Sequence, residues 1–186
     1  IPISTLTRRL LAADAVWSYD QLGNYDETLE GSRPWHSPLF DDSTWLTGQG
    51  MFGLETAAVI DSIPLPSPAI RTPWTVGAAQ LTYYLRTTLL VPAAPANAVV
   101  LLRHATDDGM VAYVDSVEKA SYNMGTTRPV LNGTLAPSAS PEGVVTCTLL
   151  PGVTTGTHTL AVEVHQASTT SSDIVFGAEV LQIIPP

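Results

Sequence analysis

The sequence predicts an all-β fold, a two-sheet antiparallel jelly-roll β-sandwich, and three observations support this class. In residues 160–165 apolar Leu and Val side chains alternate strictly with Ala161, Glu163 and His165, the period of a strand with one buried face. Fifteen Pro and thirteen Gly divide the chain into short runs. Hydrophobic residues make up 45% of the chain and charged residues only 13%, so a large core can form. At 186 residues we expect one sandwich domain over residues 1–186.

We divide this domain into an N-terminal lead-in at 1–16, an aromatic, loop-rich segment at 17–78 and the main strands at 79–184. Leucines in residues 6–16 lie near helical spacing, so this stretch is the one candidate helix. All four Trp lie in the second part among turn formers and prolines. This composition predicts irregular loops whose large rings cover the core.

The third part contains six strand-like runs, each bounded by Pro, Gly or Asp. They are 80–91, 98–103, 110–114, 144–150, 160–166 and 174–184. Residues 105–110 predict a tight turn in which Gly109 takes a positive φ, and Asp115-Ser116 predicts a hairpin turn. Arg86, inside the first run, either faces solvent or pairs with a carboxylate of the aromatic segment, and we favour the exposed position.

The chain is acidic, with 8 basic and 17 acidic residues and a net charge of −9. A phosphate backbone is repelled by such a charge, so we expect no nucleic-acid partner. No run reaches the roughly 18 apolar residues that span a bilayer, so we expect no membrane insertion. The single cysteine, Cys147, cannot form an internal disulfide and is predicted to be buried in its strand.

Three aspartates at predicted strand ends are candidate metal ligands. Asp107, Asp108 and Asp173 offer hard carboxylate oxygens next to loop carbonyls, which is the ligand chemistry of Ca²⁺. Aspartates at turns also commonly accept hydrogen bonds from local backbone amides, and that alternative stays open for all three. Calcium is therefore the one cofactor that the sequence suggests.

Glu163 and His165 share one strand face and would support acid–base chemistry only with a nucleophile or metal between them. We favour a buried hydrogen-bonded pair that links this strand to the loop at 171–173, with His165 also a candidate ligand residue. No Gly-x-Ser-x-Gly, phosphate-binding Gly-rich loop or Cys/His nucleophile pair is present, so we do not expect an enzyme.

Six segments resemble, in order and spacing, the galactose-binding-like jelly-roll modules of bacterial multidomain extracellular proteins. These segments are WSY at 17–19, FDDSTW at 40–45, GQGMFG at 48–53, LTYYLRTTL at 81–89, DDGMVAYVD at 107–115, and LAVEVHQ with SSDI at 160–174. The resemblance spans residues 14–182 and implies a non-catalytic appendage, often presumed to bind carbohydrate. The chain departs from that pattern in two turns, with Asp115-Ser116 in place of Asn-Gly and Gly156-Thr157-His158 in place of Gly-x-Asn.

Three function classes follow. We favour a non-catalytic carbohydrate-binding or adhesion module on an extracellular surface, in which exposed Trp35, Trp74 or Tyr122 stacks on sugar faces. The alternative is a structural or decoration protein of a virion or cell-surface assembly, with a protein partner bound through the apolar flanks at 1–6 and 183–186. A hydrolase is the least favoured class because its catalytic constellation is missing.

Overall fold

The computed structural model describes residues 4–26 and 34–186, which form two packed β-sheets. The elements are β1 (Leu6–Leu11), β2 (Val16–Asp20), β3 (Leu46–Gln49), β4 (Phe52–Leu54), α1 (Ala57–Ser62), β5 (Thr72–Pro73), β6 (Thr82–Val91), β7 (Val99–Asp107), β8 (Gly109–Val114), β9 (Val117–Tyr122), β10 (Thr146–Leu149), β11 (Gly156–His165) and β12 (Ile174–Ile184).

The first sheet has the order β10-β7-β12-β4-β5, and β1 also pairs with β12. The second sheet has the order β3-β2-β6-β11-β8-β9. Every pair of neighbouring strands is antiparallel except β4 and β5. The predicted all-β, two-sheet antiparallel sandwich is therefore confirmed.

The alternation in β11 positions the core as predicted. Leu160, Val162 and Val164 are fully buried between the sheets, where they join Phe176 and Leu102 from the first sheet. Burying each such side chain contributes about 1.5–3 kcal/mol. The opposite face of β11 points outward. Its polar side chains are therefore buried only where another layer covers the second sheet.

The lead-in is not helical, because β1 adds a strand beside the C-terminal half of β12. Leu6 pairs with Ile184 and Arg9 pairs with Leu181. A helix of this length has little stability in water, whereas pairing with the edge of β12 gives β1 hydrogen bonds between strands. Within the described residues, the one helix is α1, which lies in the segment predicted as loop.

The predicted tight turn at 105–110 is wrong, because the chain crosses there from one sheet to the other. β7 ends at Asp107 in the first sheet and β8 begins at Gly109 in the second. Gly109 does not have a positive φ; a Cβ atom on it would lie 2.5 Å from Met124 Sδ, so close packing requires the glycine. The hairpin turn at Asp115-Ser116 is confirmed, with φ values of 48° and 72° between β8 and β9.

The outer faces of both sheets are partly covered. Residues around α1 pack on the first sheet through Ile60, Ile63 and Leu65. The loop between β2 and β3, called the aromatic loop and described at residues 21–26 and 34–45, packs on the second sheet. Cys147 is exposed, contrary to the prediction, because it lies on the edge strand β10 and not in the core. No helix in the described part of the chain is long and apolar enough to cross a membrane.

Candidate functional site

The outer face of the second sheet is divided into a covered half and an open half. Strand register places Thr47, Ser18, Arg86, Ala161 and Tyr113 side by side across five strands. The aromatic loop covers Arg86 and the side chains on one side of this row. The side chains on the other side face solvent and form a groove.

Aromatic rings seal the covered half. Trp35 packs edge-on against Tyr84 and Tyr113, with ring centroids 4.9 Å and 5.6 Å away. His36 stacks on Tyr113 at 4.3 Å with the ring planes 7° apart. Aromatic pairs of this geometry contribute about 0.5–1.5 kcal/mol beyond their buried area. Trp35 and His36 are therefore packed directly on the outer face of the second sheet.

Arg86 is buried in the covered half, so the favoured exposed position is wrong and the ion-pair alternative is correct. Its Nε donates to Asp42 Oδ2 at 3.0 Å, and Nη1 donates to the carbonyls of Trp35 and Ser37. The guanidinium also lies 5.3 Å from the Phe40 ring centroid. A buried charge persists only when paired and hydrogen-bonded, and these contacts meet that requirement.

Glu163 and His165 are both buried under this loop. Glu163 Oε1 accepts a 2.7 Å hydrogen bond from the Tyr113 hydroxyl, and burial together with the nearby Glu163 charge raises the pKa of Tyr113. His165 Nε2 lies 3.4 Å from Glu163 Oε2, and Nδ1 lies 2.8 Å from the Thr134 carbonyl and 3.3 Å from Thr82 Oγ1. The prediction of a buried hydrogen-bonded pair is therefore wrong: both residues are buried, but His165 Nε2 has no hydrogen-bond partner in the described part of the chain. His165 contacts Thr82 and Thr134, and Glu163 contacts Tyr113; neither bonds the predicted loop at 171–173.

The aromatic residues predicted to stack on sugars are not exposed. Trp35 and Trp74 retain only 4% and 3% of their surface, and Trp74 stacks on Tyr83 at 4.6 Å within the core. Tyr122 is half-buried and packs edge-on against His104. The expected exposure is wrong because both Trp rings fill space where strands are short. A ligand role for Trp35, Trp74, Tyr122 or His165 stays a prediction.

The open half of the second sheet forms a polar groove, which has a volume of about 390 Å³. Hydroxyl groups of Ser18, Thr47, Thr88 and Thr159 lie along its floor, and Phe40 is part of its wall. The full lining is Val16, Trp17, Ser18, Pro38, Phe40, Asp42, Thr47, Arg86, Thr87, Thr88 and Thr159. Among the residues that the structure describes, none of the four floor hydroxyls has a hydrogen-bond partner.

An acidic cluster lies at the end of the first sheet. Glu55, Asp107 and Asp173 each place a carboxylate oxygen within 4.8 Å of the other two. Glu55 follows β4, Asp107 ends β7 and Asp173 precedes β12, and β12 pairs with both of the other strands. The structure thus brings together two of the three predicted metal ligands and adds Glu55, which the sequence analysis missed.

The electrostatics of the cluster are unfavourable for three free carboxylates. Burial raises the pKa of Asp107 to about 8, helped by a hydrogen bond with Asp108 and by the charges of Asp108, Asp173 and Glu55. No basic residue in the described ranges forms an ion pair with the cluster. A cavity of about 10 Å³ adjoins Asp107 and Glu55, which is about the space of one water molecule.

Asp108 is not part of the cluster. Its carboxylate accepts hydrogen bonds from the backbone amides of Ser140 at 2.9 Å and Ala167 at 2.7 Å. It therefore plays the amide-binding role that was the alternative to metal ligation. Asp107 ends β7 in the first sheet, whereas Asp108 lies at the crossing and accepts from amides of two distant loops.

Sequence reasoning also missed the groove, although part of its signal was present. Thr88 lies two residues from Arg86 in β6, and Thr159 lies four residues from Glu163 in β11, so each threonine faces outward like its neighbour. Alternation alone identified these faces. The pairing of β2 with β6 and β3, which completes the floor with Ser18, depends on contacts between distant segments.

An apolar patch remains on the outer face of the first sheet. Register aligns Leu101 with Leu149 and Leu181, and Val99 with Ile183. Leu149 and Val99 are exposed. The predicted C-terminal flank at 183–186 therefore adjoins a surface of apolar side chains. Residues 1–3 of the predicted N-terminal flank lie outside the described residues.

The fold is similar to parts of larger solved structures. A calcium-binding mutant of Bacteroides uniformis β-glucuronidase 2 matches 98% of this chain and 18% of its own, at 16% identity and a TM-score of 0.53. A β-glucuronidase from an uncultured Clostridium sp. matches 100% and 30%, at 13% identity and a TM-score of 0.53. The Ruminococcus gnavus β-glucuronidase in complex with D-glucuronic acid matches 100% and 31%, at 11% identity and a TM-score of 0.50.

These likenesses concern the fold alone. The chain spans between 18% and 31% of the length of these three proteins, and sequence identity is low throughout. No family model matches the chain, and no curated protein matches it. The shared feature is a β-sandwich of this size inside larger glycosidases.

Proposed function

We propose that the chain is a non-catalytic carbohydrate-binding domain of the galactose-binding-like kind, acting on an extracellular surface. The observation that carries this proposal is the polar groove, where the hydroxyls of Ser18, Thr47, Thr88 and Thr159 line one sheet face beside Phe40. Sugar-binding sites need groups that both donate and accept hydrogen bonds, together with an apolar ring, and this groove offers both.

Two further observations support the proposal. The similar solved structures are glycosidases that contain this fold as a small part, which fits a carbohydrate-related domain attached to a larger protein. Glu163 and His165, the pair that acid–base catalysis would use, are closed off from solvent. A binding role fits this burial better than a catalytic role does.

The experiment is a glycan array on the isolated domain, with its solution mass measured in parallel. We expect a monomer that binds one class of sugars. The absence of binding to every glycan on the array, together with a stable oligomer, would contradict the proposal and favour an assembly role.

We also propose that Glu55, Asp107 and Asp173 hold a Ca²⁺ ion. Three carboxylates within 4.8 Å supply oxygen ligands, and water can complete the six to eight that calcium takes. Burial and then the charges of neighbouring carboxylates raise the pKa of Asp107, and a bound cation would offset that repulsion. The open depression beside Glu55 and Asp173 gives the ion a path from solvent.

Thermal unfolding with and without calcium tests this site. Millimolar Ca²⁺ should raise Tm of the wild type by mass action, and Asp107→Asn should remove the increase. Asp14→Asn, which changes an exposed aspartate outside the cluster, is the matched control and should retain it. Equal Tm values with and without Ca²⁺ in the wild type would contradict a calcium site.

A second candidate function, assembly of a surface structure, is favoured by the apolar patch on the first sheet. Val99, Leu101, Leu149, Leu181 and Ile183 form a connected surface of a kind that often marks protein contacts. Analytical ultracentrifugation tests it. A stable oligomer that Leu149→Lys converts to a monomer would support this role, and a monomeric wild type would argue against self-assembly.

A further inference from the structure

We infer that the polar groove selects neutral sugars over uronic acids. This inference rests on the proposed carbohydrate-binding function and adds the chemical class of the ligand. It is notable because the similar solved structures are β-glucuronidases, whose substrates carry a carboxylate. The charges of the groove point to the opposite preference in this chain.

Among the described residues, Arg86 is the single basic residue of the groove lining, and its charge is paired with the Asp42 carboxylate. Asp42 pairs with Nε at 3.0 Å, the carbonyls of Ser37 and Trp35 accept from Nη1, and only 5% of the residue is exposed. Releasing the guanidinium to a ligand would leave Asp42 and two carbonyls without their donor. The cost of such unpaired groups is high, so Arg86 is held by its own loop.

Asp42 is the single acidic residue of this lining in the part of the chain that the structure describes, and about a third of its side chain, 32%, is exposed. Within residues 4–26 and 34–186, a ligand carboxylate in the groove would therefore meet a carboxylate and no free cation. Removing a carboxylate from water without a partner is costly, and the net charge of −9 adds long-range repulsion.

A neutral sugar has no carboxylate to desolvate and is not repelled by Asp42. Its hydroxyls can exchange hydrogen bonds with Ser18, Thr47, Thr88 and Thr159, whose hydroxyls have no partner among the described residues. The half-buried Phe40 ring offers an apolar surface at the wall. The volume of about 390 Å³ lies within the usual range for small-molecule sites.

The test uses matched oligosaccharide pairs that differ only at C6, with a hydroxymethyl group in one member and a carboxylate in the other. Glucose and glucuronate, galactose and galacturonate, and mannose and mannuronate form the pairs. Titration calorimetry of the domain at pH 7 measures Kd at low and high salt. We expect the neutral member to bind at least about tenfold tighter, with little dependence on salt.

Two variants test whether the sugar binds in the groove. Thr88→Val and Thr159→Val keep the side-chain shape and remove one hydroxyl each, so each should weaken neutral-sugar binding by about tenfold. Thr7→Val changes an exposed threonine on the other sheet and should bind like the wild type. Far-ultraviolet circular dichroism and Tm verify that all three variants are folded.

The outcomes separate this inference from the proposed function. Tighter binding of the uronate, with affinity that falls as salt rises, would overturn the inference and leave carbohydrate binding intact. Unchanged binding in both groove variants would also overturn it, because the sugar then binds elsewhere. Failure to bind any oligosaccharide, here and on the glycan array, would overturn both proposals.

Discussion

The two halves of the outer face of the second sheet share strands β6 and β11 but differ in their chemistry. In the covered half, Arg86 pairs with Asp42, and Glu163 accepts from Tyr113 under a layer of aromatic rings. In the open half, the hydroxyls of Thr88 and its neighbours have no partner in the described part of the chain. Polar groups that bond within the fold therefore lie only a few residues, along the same strand, from hydroxyls that are available to a ligand.

The comparison teaches that burial and charge do not by themselves mark a functional site. Arg86 and Glu163 are buried charged residues whose partners lie within the fold. Substitutions in the covered half should therefore change stability, and substitutions in the open half should change binding.

The largest effect is expected for Trp35→Ala in the covered half. Trp35 is 96% buried, with 4% of its surface exposed, and packs on Tyr84 and Tyr113. Removing the ring should lower the free energy of unfolding by about 3–5 kcal/mol, measured by urea denaturation. A loss below about 1 kcal/mol would show that the aromatic layer does not stabilise the sheet.

Tyr113→Phe should have a smaller effect. It removes the 2.7 Å hydrogen bond to Glu163 and leaves a buried carboxylate without that donor. We expect a loss of about 1–3 kcal/mol in the free energy of unfolding. Tyr122→Phe is the matched control, because its hydroxyl bonds no described residue, and it should stay within about 0.5 kcal/mol of the wild type. Equal losses in both variants would contradict a specific role for the Tyr113 hydroxyl.

The acidic cluster extends the comparison, because its three half-buried carboxyl groups have no basic partner among the described residues. The pKa of Asp107 rises from 3.8 to about 8, so its proton is bound more tightly in the folded state. Its contribution to stability is complete below pH 3.8 and is lost as the pH rises through about 8. In calcium-free buffer, Asp107→Asn should therefore gain stability relative to the wild type between pH 5 and pH 8.5.

Urea denaturation of both proteins at the two pH values measures this change. Subtracting the change in the variant from the change in the wild type isolates the contribution of Asp107. Other titrating groups cancel, such as His158, whose pKa is raised by its hydrogen bond to Asp115. The same pH dependence in wild type and variant would contradict a raised pKa at Asp107.

The smallest stability effect is expected in the open half. Thr88→Val and Thr159→Val remove hydroxyls that bond no described residue, so the free energy of unfolding should change by less than about 0.5 kcal/mol. Urea denaturation measures it. A loss above about 1 kcal/mol would show that these hydroxyls are structural, and the contrast between the two halves would then be wrong.

The sequence was sufficient for the features that depend on local pattern. Alternation in residues 160–165 identified the buried face of β11, and Asp115-Ser116 identified the hairpin turn between β8 and β9. For Arg86 the sequence offered a carboxylate of the aromatic segment as an alternative to exposure, but it could not identify Asp42, because 44 residues separate the partners along the chain. It missed Glu55 for the same reason, since the ends of β4, β7 and β12 meet only after the sheet has formed.

Nuclear magnetic resonance mapping of a bound neutral oligosaccharide tests the central claim most directly. In ¹⁵N-labelled domain, we expect the largest amide shifts at Ser18, Thr47, Thr88 and Thr159, with little change near Glu163. Those shifts would identify the open half as the binding surface. Shifts centred on Glu163 or on the acidic cluster at Glu55, with the groove unchanged, would contradict it.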